Sequence, residues 1–321
     1  MPFPTTPVAM KKTLISLITP AFNEAQNLPR LYGRICAALD PLADVAWEWI
    51  VVDDHSADNT FPVVAEIATR DPRVRGMRLS RNAGSHIALR LGFSKMNGDC
   101  AVALVGDLQD PPEIIAEMLE VWRGGTQVVW AVRESRQGED AAKILFSRFY
   151  YWIMRRIVGL KDLPSMGADF FLADRRVINV LTEFNESNVS ILALLTWVGF
   201  RQGRICYEKQ ARAGGESGWT FEKKVKIAID SVTSFSYFPI RMMSYAGMAV
   251  ALSGFLYTLV IVANKFLGNP SKGWSELMIV LLILGGLQML MTGVLGEYVW
   301  RTLDESRRRP RFMVENDTRP G

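Results

Sequence analysis

TLISLITPAFNEAQNLPRLYGRICAAL, residues 13–39, decides the fold. It opens with a near-continuous β-rich apolar run, TLISLIT, passes through a polar stretch, and ends in NLPRLYGRICAAL, whose apolar spacing is that of an amphipathic helix. The stretch reads as one strand–loop–helix unit. The same alternation returns in EWIVVDD (48–54), RVRGMRL (73–79), CAVALVG (100–106) and QVVWAV (127–132), with helical patterns between them. Apolar strands interleaved with amphipathic helices imply an α/β domain with a mostly parallel sheet covered on both faces. In such sheets ligands bind where strands run out into loops at the carboxyl edge, so the polar residues of those loops are the candidates for function.

Composition bounds what surrounds this domain. The chain has 321 residues, 49% hydrophobic and 22% charged, which excludes a disordered tail or a peptide-sized module. Lys plus Arg number 37 against 33 Asp plus Glu, and a formal charge of +4 does not by itself call for nucleic acid. Cys36, Cys100 and Cys206 lie far apart, which argues against a disulfide framework and against a cysteine zinc site. A reducing cytosol is the expected setting. MPFPTTPVAMKK has no apolar core ahead of its two lysines, so no cleaved signal peptide is expected.

Towards the C-terminus, Met242–Asn264 and Leu277–Gly296 carry no charged residue. About 20 helical residues cross a hydrocarbon core of about 30 Å, so two membrane spans are expected, over 242–264 and 277–299. The link between them, with Asn269, Pro270, Gly273 and Trp274, suits a turn at the membrane surface, making the pair a hairpin. Lys223, Lys224, Lys226 and Arg241 precede the first span, and Arg301, Arg307, Arg308, Arg309 and Arg311 follow the second. By the positive-inside rule both ends face the cytoplasm. The expected organisation is a cytosolic α/β domain over 1–220, an amphipathic interfacial helix over 221–241, the two spans, and a cytosolic basic tail over 300–321. Gly285, Gly286, Gly293 and Gly296 would let another helix approach closely, so self-association into a homo-oligomer is compatible with the second span.

The loops at the strand ends carry the chemistry. TPAFNEAQN puts Pro20, Asn23 and Glu24 after the first strand, and VVDDHSADNT puts Asp53 and Asp54 at the end of the second. A carboxylate at such a strand tip is placed to hold a ribose hydroxyl or a base edge, whereas Ser56, Asp58 and Thr60 read as helix caps. In LSRNAGSHIALRLGF, Arg81, Asn82 and Gly84 make a turn and Ser85 caps the next helix. Neither His55 nor His86 is expected to be catalytic, and two histidines make no zinc site. The phosphate cradles GxxxxGK[ST] and strand-linked GxGxxG are absent from the sequence. ALVGDLQDPPE gathers Asp107, Gln109, Asp110 and Glu113. Asp107 and Gln109 suit a hard divalent ion that also grips substrate phosphates, while Asp110 through Glu113 reads as a helix start.

Together these segments resemble a known family. PAFNEAQNL, VVDDHSADNT, SRNAGSH, GDLQDPPE, SMGADFFLADRRV, WVGFRQ, RAGGESGW and SFSYFPIR, in that order and followed by two apolar segments, resemble the inverting family 2 glycosyltransferases of GT-A fold that act on polyprenyl phosphates. The resemblance implies that Pro20, Phe22, Asn23, Glu24, Asp53 and Asp54 line a donor-nucleotide site. It implies Mg²⁺ or Mn²⁺ at Asp107 and Gln109, a catalytic role for Asp107 and Asp169, and phosphate or acceptor contacts from Arg133, Arg148, Arg212 and Ser217. Two positions depart from the family pattern: Val105 replaces the first acid of the metal motif, and the lysine of the GESKY segment is missing from Gly215–Trp219. The activity implied is inverting transfer of a sugar, glucose from UDP-glucose at family level, to a membrane polyprenyl phosphate at the inner (plasma) membrane. The resemblance leaves the acceptor's length open; undecaprenyl phosphate is the expectation if the source is bacterial. Two other readings stand beside it: a processive polysaccharide synthase, which would show a QxxRW signature that this chain lacks, and an inactive membrane scaffold, suggested by the two departures.

Overall fold

The computed structural model describes residues 12–134, 152, 154–156, 159–160, 169–184, 190–208, 236, 238–267, 273–307 and 309–319. Strand β1 (Thr13–Ala21) is central, with β2 (Val45–Asp53) parallel on one side and β4 (Cys100–Ala103) parallel on the other, so that Ile18 aligns with both Ile50 and Ala103. β3 (Val74–Leu79) continues the parallel set beyond β2. Past β4 the sheet becomes mixed. β6 (Phe171–Asp174) runs antiparallel between β4 and β5 (Val128–Arg133), and β7 (Gln202–Tyr207) lies parallel to β5. With β8 (Val314–Asp317) on the far edge, the order is β7-β5-β6-β4-β1-β2-β3-β8. The sheet is mixed and mostly parallel, as the sequence implies.

Both faces of this sheet are buried. Ile15, Leu17, Trp49 and Val51 point to one side, where α1 (Leu28–Leu39), α2 (Thr60–Arg70) and α4 (Ile115–Arg123) cover them with Leu31, Ile35, Val64 and Met118. Ile18, Ile50, Val52 and Met77 point to the other, under α3 (Ser85–Lys95), α5 (Arg175–Glu183) and α6 (Ile191–Trp197). Double coverage is what makes the strands read as continuous apolar runs rather than as alternating ones. Below the sheet's centre, buried Glu48 accepts from Ser16 Oγ at 2.5 Å, from the Asn97 amide at 2.5 Å and from Asn97 Nδ2 at 3.0 Å, while the Gly98 amide donates to Ser16 Oγ at 2.8 Å. This network joins β1 and β2 to the turn that enters β4, and so fixes which strand ends stand side by side at the opposite edge.

The C-terminal apolar segments are helical, as α7 (Phe238–Phe266) and α8 (Trp274–Ser306). Among the described residues one segment, Phe238–Ala263, is long and apolar enough to cross a membrane, and none of it is buried in the protein. Tyr298 of α8 donates to the Ser236 carbonyl at 3.1 Å, just before α7 begins. Of the interfacial helix expected over 221–241, residues 221–235 lie outside the described residues, and Phe238–Arg241 belong to the first turn of α7.

The expected basic tail takes a different form. α8 continues to Ser306, and Val314–Asp317 joins the sheet antiparallel to β3. Arg75 forks onto Asp317 at 3.1 and 2.6 Å, Arg78 Nε donates to Glu315 at 3.0 Å, and Gly76 and Thr318 exchange bonds of 2.9 Å. Phe312 packs onto the core layer beneath α3. β3 is thereby covered, and the four-residue β8 takes its place as the short edge strand. Burial alone would raise the Asp317 carboxyl, but hydrogen bonds from Arg75 and the Arg319 amide outweigh it and hold the group below the usual carboxylate range. The pair therefore contributes stability above about pH 4, which is lost as pH falls through the lowered folded value.

A side chain cannot be added at Gly98 without moving backbone, because a Cβ there would lie 2.6 Å from the Ser16 amide nitrogen and 2.7 Å from the Cys100 carbonyl oxygen. Gly98→Ala is expected to cost about 1–3 kcal/mol, read as a lower midpoint in chemical denaturation.

Candidate active site

Among the described residues three non-glycines adopt left-handed backbone: Asn23 (φ +58°), His55 (φ +58°) and Leu108 (φ +61°). They follow β1, β2 and β4 at the same carboxyl edge of the sheet. Asparagine tolerates this region, whereas a leucine there costs roughly 1–2 kcal/mol, so the surroundings must impose it. For the first two loops the imposing bonds are visible. The Asn23 amide donates to Ser56 Oγ at 2.9 Å, Asn23 Oδ1 accepts from the Ala57 amide at 3.0 Å, and the Glu24 amide donates to Thr60 Oγ1 at 2.9 Å. Asp58 accepts from the Ala25 amide at 3.2 Å through one oxygen and from the Thr60 amide at 3.0 Å through the other. The N-cap of α2 is Asn59, which makes no side-chain cap bond, so Asp58 and Thr60 are not the caps expected; they stitch the β1 loop to the β2 loop.

Asp53 and Asp54 anchor this stitching from below. Asp53 is fully buried, accepting from the Ser56 amide at 2.9 Å, from Ser56 Oγ, and from Arg78 Nη1 at 3.0 Å. Arg78 also donates to the Ser56 carbonyl at 3.1 Å, so Ser56 is gripped at its amide, hydroxyl and carbonyl together. Asp54 is buried too, and accepts from the Ala83 and Gly84 amides at 2.7 and 2.8 Å. Burial pushes its carboxyl above the ordinary value even though those two amides pull the other way. Gly84 (φ +92°) is the N-cap of α3, so the turn there is held by Asp54 rather than capped by Ser85. Facing solvent above these carboxylates are Phe22, 48% exposed, with Asn23 and His55, while Pro20 and Glu24 are half-buried.

The β4 loop completes the edge. Asp107 is nearly buried and accepts from the Gln109 amide at 3.1 Å across the strained Leu108. Asp110 is turned inward, where Tyr207 Oη donates to it at 2.5 Å, and Glu113 pairs with Arg34 of α1 at 2.7 Å. The run from Asp110 to Glu113 is therefore structural, and Pro112–Ile114 forms a short 3₁₀ turn that leads into α4. Half-buried Arg133 stands near Tyr207, Asp169 and Asp110; burial would lower its pKa, but these groups outweigh it and leave it raised. Exposed Asp169 sits just before β6. It also acts on His86: burial pushes that imidazole down, Asp169 pulls it up and Arg90 pushes it down again, for a net lowering. Asp107, Asp169 and Arg133 thus belong to the adjoining ends of β4, β6 and β5, and His86, at the start of α3, lies within the electrostatic reach of Asp169. Arg148, Arg212 and Ser217 lie outside the described residues.

The donor set at Asp107 bears on a divalent ion. Among the described residues no three His, Cys, Asp or Glu side chains converge as a metal cage, and the side chain of Val105 offers no oxygen. One carboxylate beside a glutamine fits an ion that reaches its full coordination with substrate phosphates and water, the usual habit of Mg²⁺.

Comparison with known proteins identifies the domain. A family model described as glycosyl transferase family 2 matches residues 16–185, from within β1 through α5. This chain belongs to glycosyl transferase family 2. It is similar to the uncharacterized glycosyltransferase YkcC of Bacillus subtilis, 35% identical over 94% of this chain and 93% of the relative. It is likewise similar to the bactoprenol glucosyl transferase of Shigella phage SfV, 33% identical over 94% of this chain and 98% of the relative. Among solved structures it is similar to glucosyl-3-phosphoglycerate synthase from Mycobacterium tuberculosis in complex with Mn²⁺ and UDP-glucose. That match has 16% identity, a TM-score of 0.46, and covers 69% of this chain and 79% of the other. The protein is a glycosyltransferase.

Sequence reasoning missed Arg78, Tyr207 and Glu315. Arg78 sits inside a strand pattern and the other two lie beyond the acidic motifs, so only the pairing of β2 with β3, and of β3 with β8, brings Arg78 and Glu315 to the site. Removing the Tyr207 hydroxyl deprives buried Asp110 of a donor. Tyr207→Phe is expected to cost about 1–3 kcal/mol, seen as a lower melting temperature.

Proposed function

We propose that this glycosyltransferase moves a sugar, glucose from UDP-glucose, onto the phosphate of a membrane polyprenyl phosphate, with inversion at the anomeric carbon. The observation that carries the acceptor is the unburied apolar helix Phe238–Ala263 in the same chain as the sugar-transfer domain. Relatives named bactoprenol glucosyl transferase, similar over nearly the whole chain, support it. In this reading α7 and α8 cross the plasma membrane as a hairpin, both termini are cytoplasmic, and glycines of α8 admit a second copy of the chain.

The donor's nucleotide lies over the stitched β1 and β2 loops, against Pro20, Phe22, Asn23 and Glu24, with Asp53 and Asp54 fixing the backbone beneath. Asp107 and Gln109 would hold Mg²⁺ or Mn²⁺. When bound, such an ion neutralises the charge that develops on the departing nucleotide diphosphate. Arg133 faces the same region as a planar, always-charged donor, and Arg148, Arg212 and Ser217 complete the phosphate contacts by family resemblance. The nucleophile is a lipid phosphate oxygen. With a second pKa near 6 it is largely a dianion at neutral pH, so no residue has to remove a proton. Attack comes from the sugar face opposite the leaving diphosphate. One displacement inverts the centre. Asp169 orients a sugar hydroxyl or steadies positive charge growing at the anomeric carbon.

The test mixes membranes containing the full-length protein with polyprenyl phosphate, Mg²⁺ or Mn²⁺, and radiolabelled UDP- or GDP-sugars, and counts label extracted into organic solvent. Asp107→Ala is expected to lower lipid-linked product by about 10²-fold or more. Asp169→Asn is expected to lower turnover about 10-fold with donor affinity unchanged. Unchanged product from Asp107→Ala sinks the assignment, and label in a polymer instead of a lipid points to a processive synthase.

A further inference from the structure

The strand β8 does not merely cover an edge. Its Glu315 holds Nε of Arg78 at 3.0 Å, while the two terminal nitrogens of the same guanidinium go to Asp53 at 3.0 Å and to the Ser56 carbonyl at 3.1 Å. A planar fork with partners on three nitrogens has one orientation left to it. Ser56 passes that orientation on, since its hydroxyl accepts from the Asn23 amide at 2.9 Å. His55, next in the same loop, places Nδ1 3.1 Å from the Leu79 carbonyl and 3.6 Å from Glu315. A continuous hydrogen-bonded path therefore runs from residue 315 through Arg78 and Ser56 to the loops that follow β2 and β1. Glu315 itself is 45% exposed; it lies 3.6 Å from His55 and 3.0 Å from Arg78, and Arg78 is the contact that carries its effect on to Ser56 and Asn23.

We propose that the C-terminal strand is a working part of the donor-nucleotide site, with Glu315 a positioning residue that acts through Arg78 on the β1 and β2 loops. The inference rests on the donor reading of those loops given above. With Glu315 neutralised, the Arg78 Nε contact falls from a charge-assisted hydrogen bond to a weaker neutral one, and the guanidinium is freer to turn its remaining arms onto Asp53. That releases the Ser56 carbonyl and loosens the Asn23 and His55 turns, both of which sit in left-handed backbone that needs outside support.

The experiment measures calorimetric binding of UDP and of GDP, with Mn²⁺, to the full-length chain in nanodiscs. Glu315→Gln is expected to raise the Kd of the bound nucleotide roughly 3- to 10-fold, and Glu315→Asp to restore most of it. In an Arg78→Gln background the same Glu315→Gln change is expected to add nothing, because the path is already cut. Thr318→Val removes one bond that seats β8 but leaves Glu315 on Arg78; a lower melting temperature with an unchanged Kd is expected. A wild-type Kd in Glu315→Gln, independent effects in the double variant, or an equal rise in Kd for Thr318→Val each overturns the role assigned to Glu315. Wild-type protein that binds neither nucleotide overturns the donor reading, and this inference with it.

Discussion

The arrangement depends on two adjacent carboxylates that leave the sheet at the end of one strand and never reach solvent. Burying a charge is costly unless it is paired and hydrogen-bonded, and Asp53 and Asp54 meet that condition with backbone amides, a serine hydroxyl and a guanidinium. Each bond that offsets the burial also fixes a piece of loop: Ser56 for Asp53, and Ala83 with Gly84 for Asp54. Removing a partner would leave a buried charge uncompensated, so the loops cannot drift cheaply. The carboxyl edge is rigid because its carboxylates are buried.

That rigidity explains why strained backbone survives here. Leu108 sits between Asp107, whose carboxylate reaches forward to the Gln109 amide, and Asp110 on its own buried tyrosine, and so it is held from both sides. Strain collected at one edge, beside half-buried arginine and nearly buried aspartate, is the condition for presenting charges to a substrate with little rearrangement. If α7 crosses the bilayer as proposed, a second economy follows: a lipid acceptor confined to the same surface would meet the domain at high effective concentration, lowering the entropic cost of bringing the reactants together.

Much of this was legible in the chain itself. All five runs of the N-terminal half became strands, because double burial writes itself as uninterrupted apolar residues, and α1 follows its amphipathic spacing. The motifs after β1, β2 and β4 fall at one edge because parallel pairing aligns strand ends. What stayed hidden has a common cause. β6, β7 and β8 fall outside the regular strand–helix alternation of the N-terminal half, and each is defined by the strand it pairs with. The stretch after Arg301 looked like a basic tail because its arginines dominate the composition, whereas Glu315 and Asp317 decide its fate through partners over 230 residues away in sequence. Asp53 looked like a ligand-facing acid, and its side chain proves to be turned into the loop that it supports.

The seating of β8 also sets a length. Ser306 ends α8 and Val314 begins the strand, and the peptide between them spans at most about 29 Å when drawn taut. If α8 emerges from the bilayer as proposed, that short leash confines one flank of the catalytic domain to a thin layer of water above the headgroups. The domain can then rock on its tether but cannot lift away from the plane in which a lipid phosphate travels.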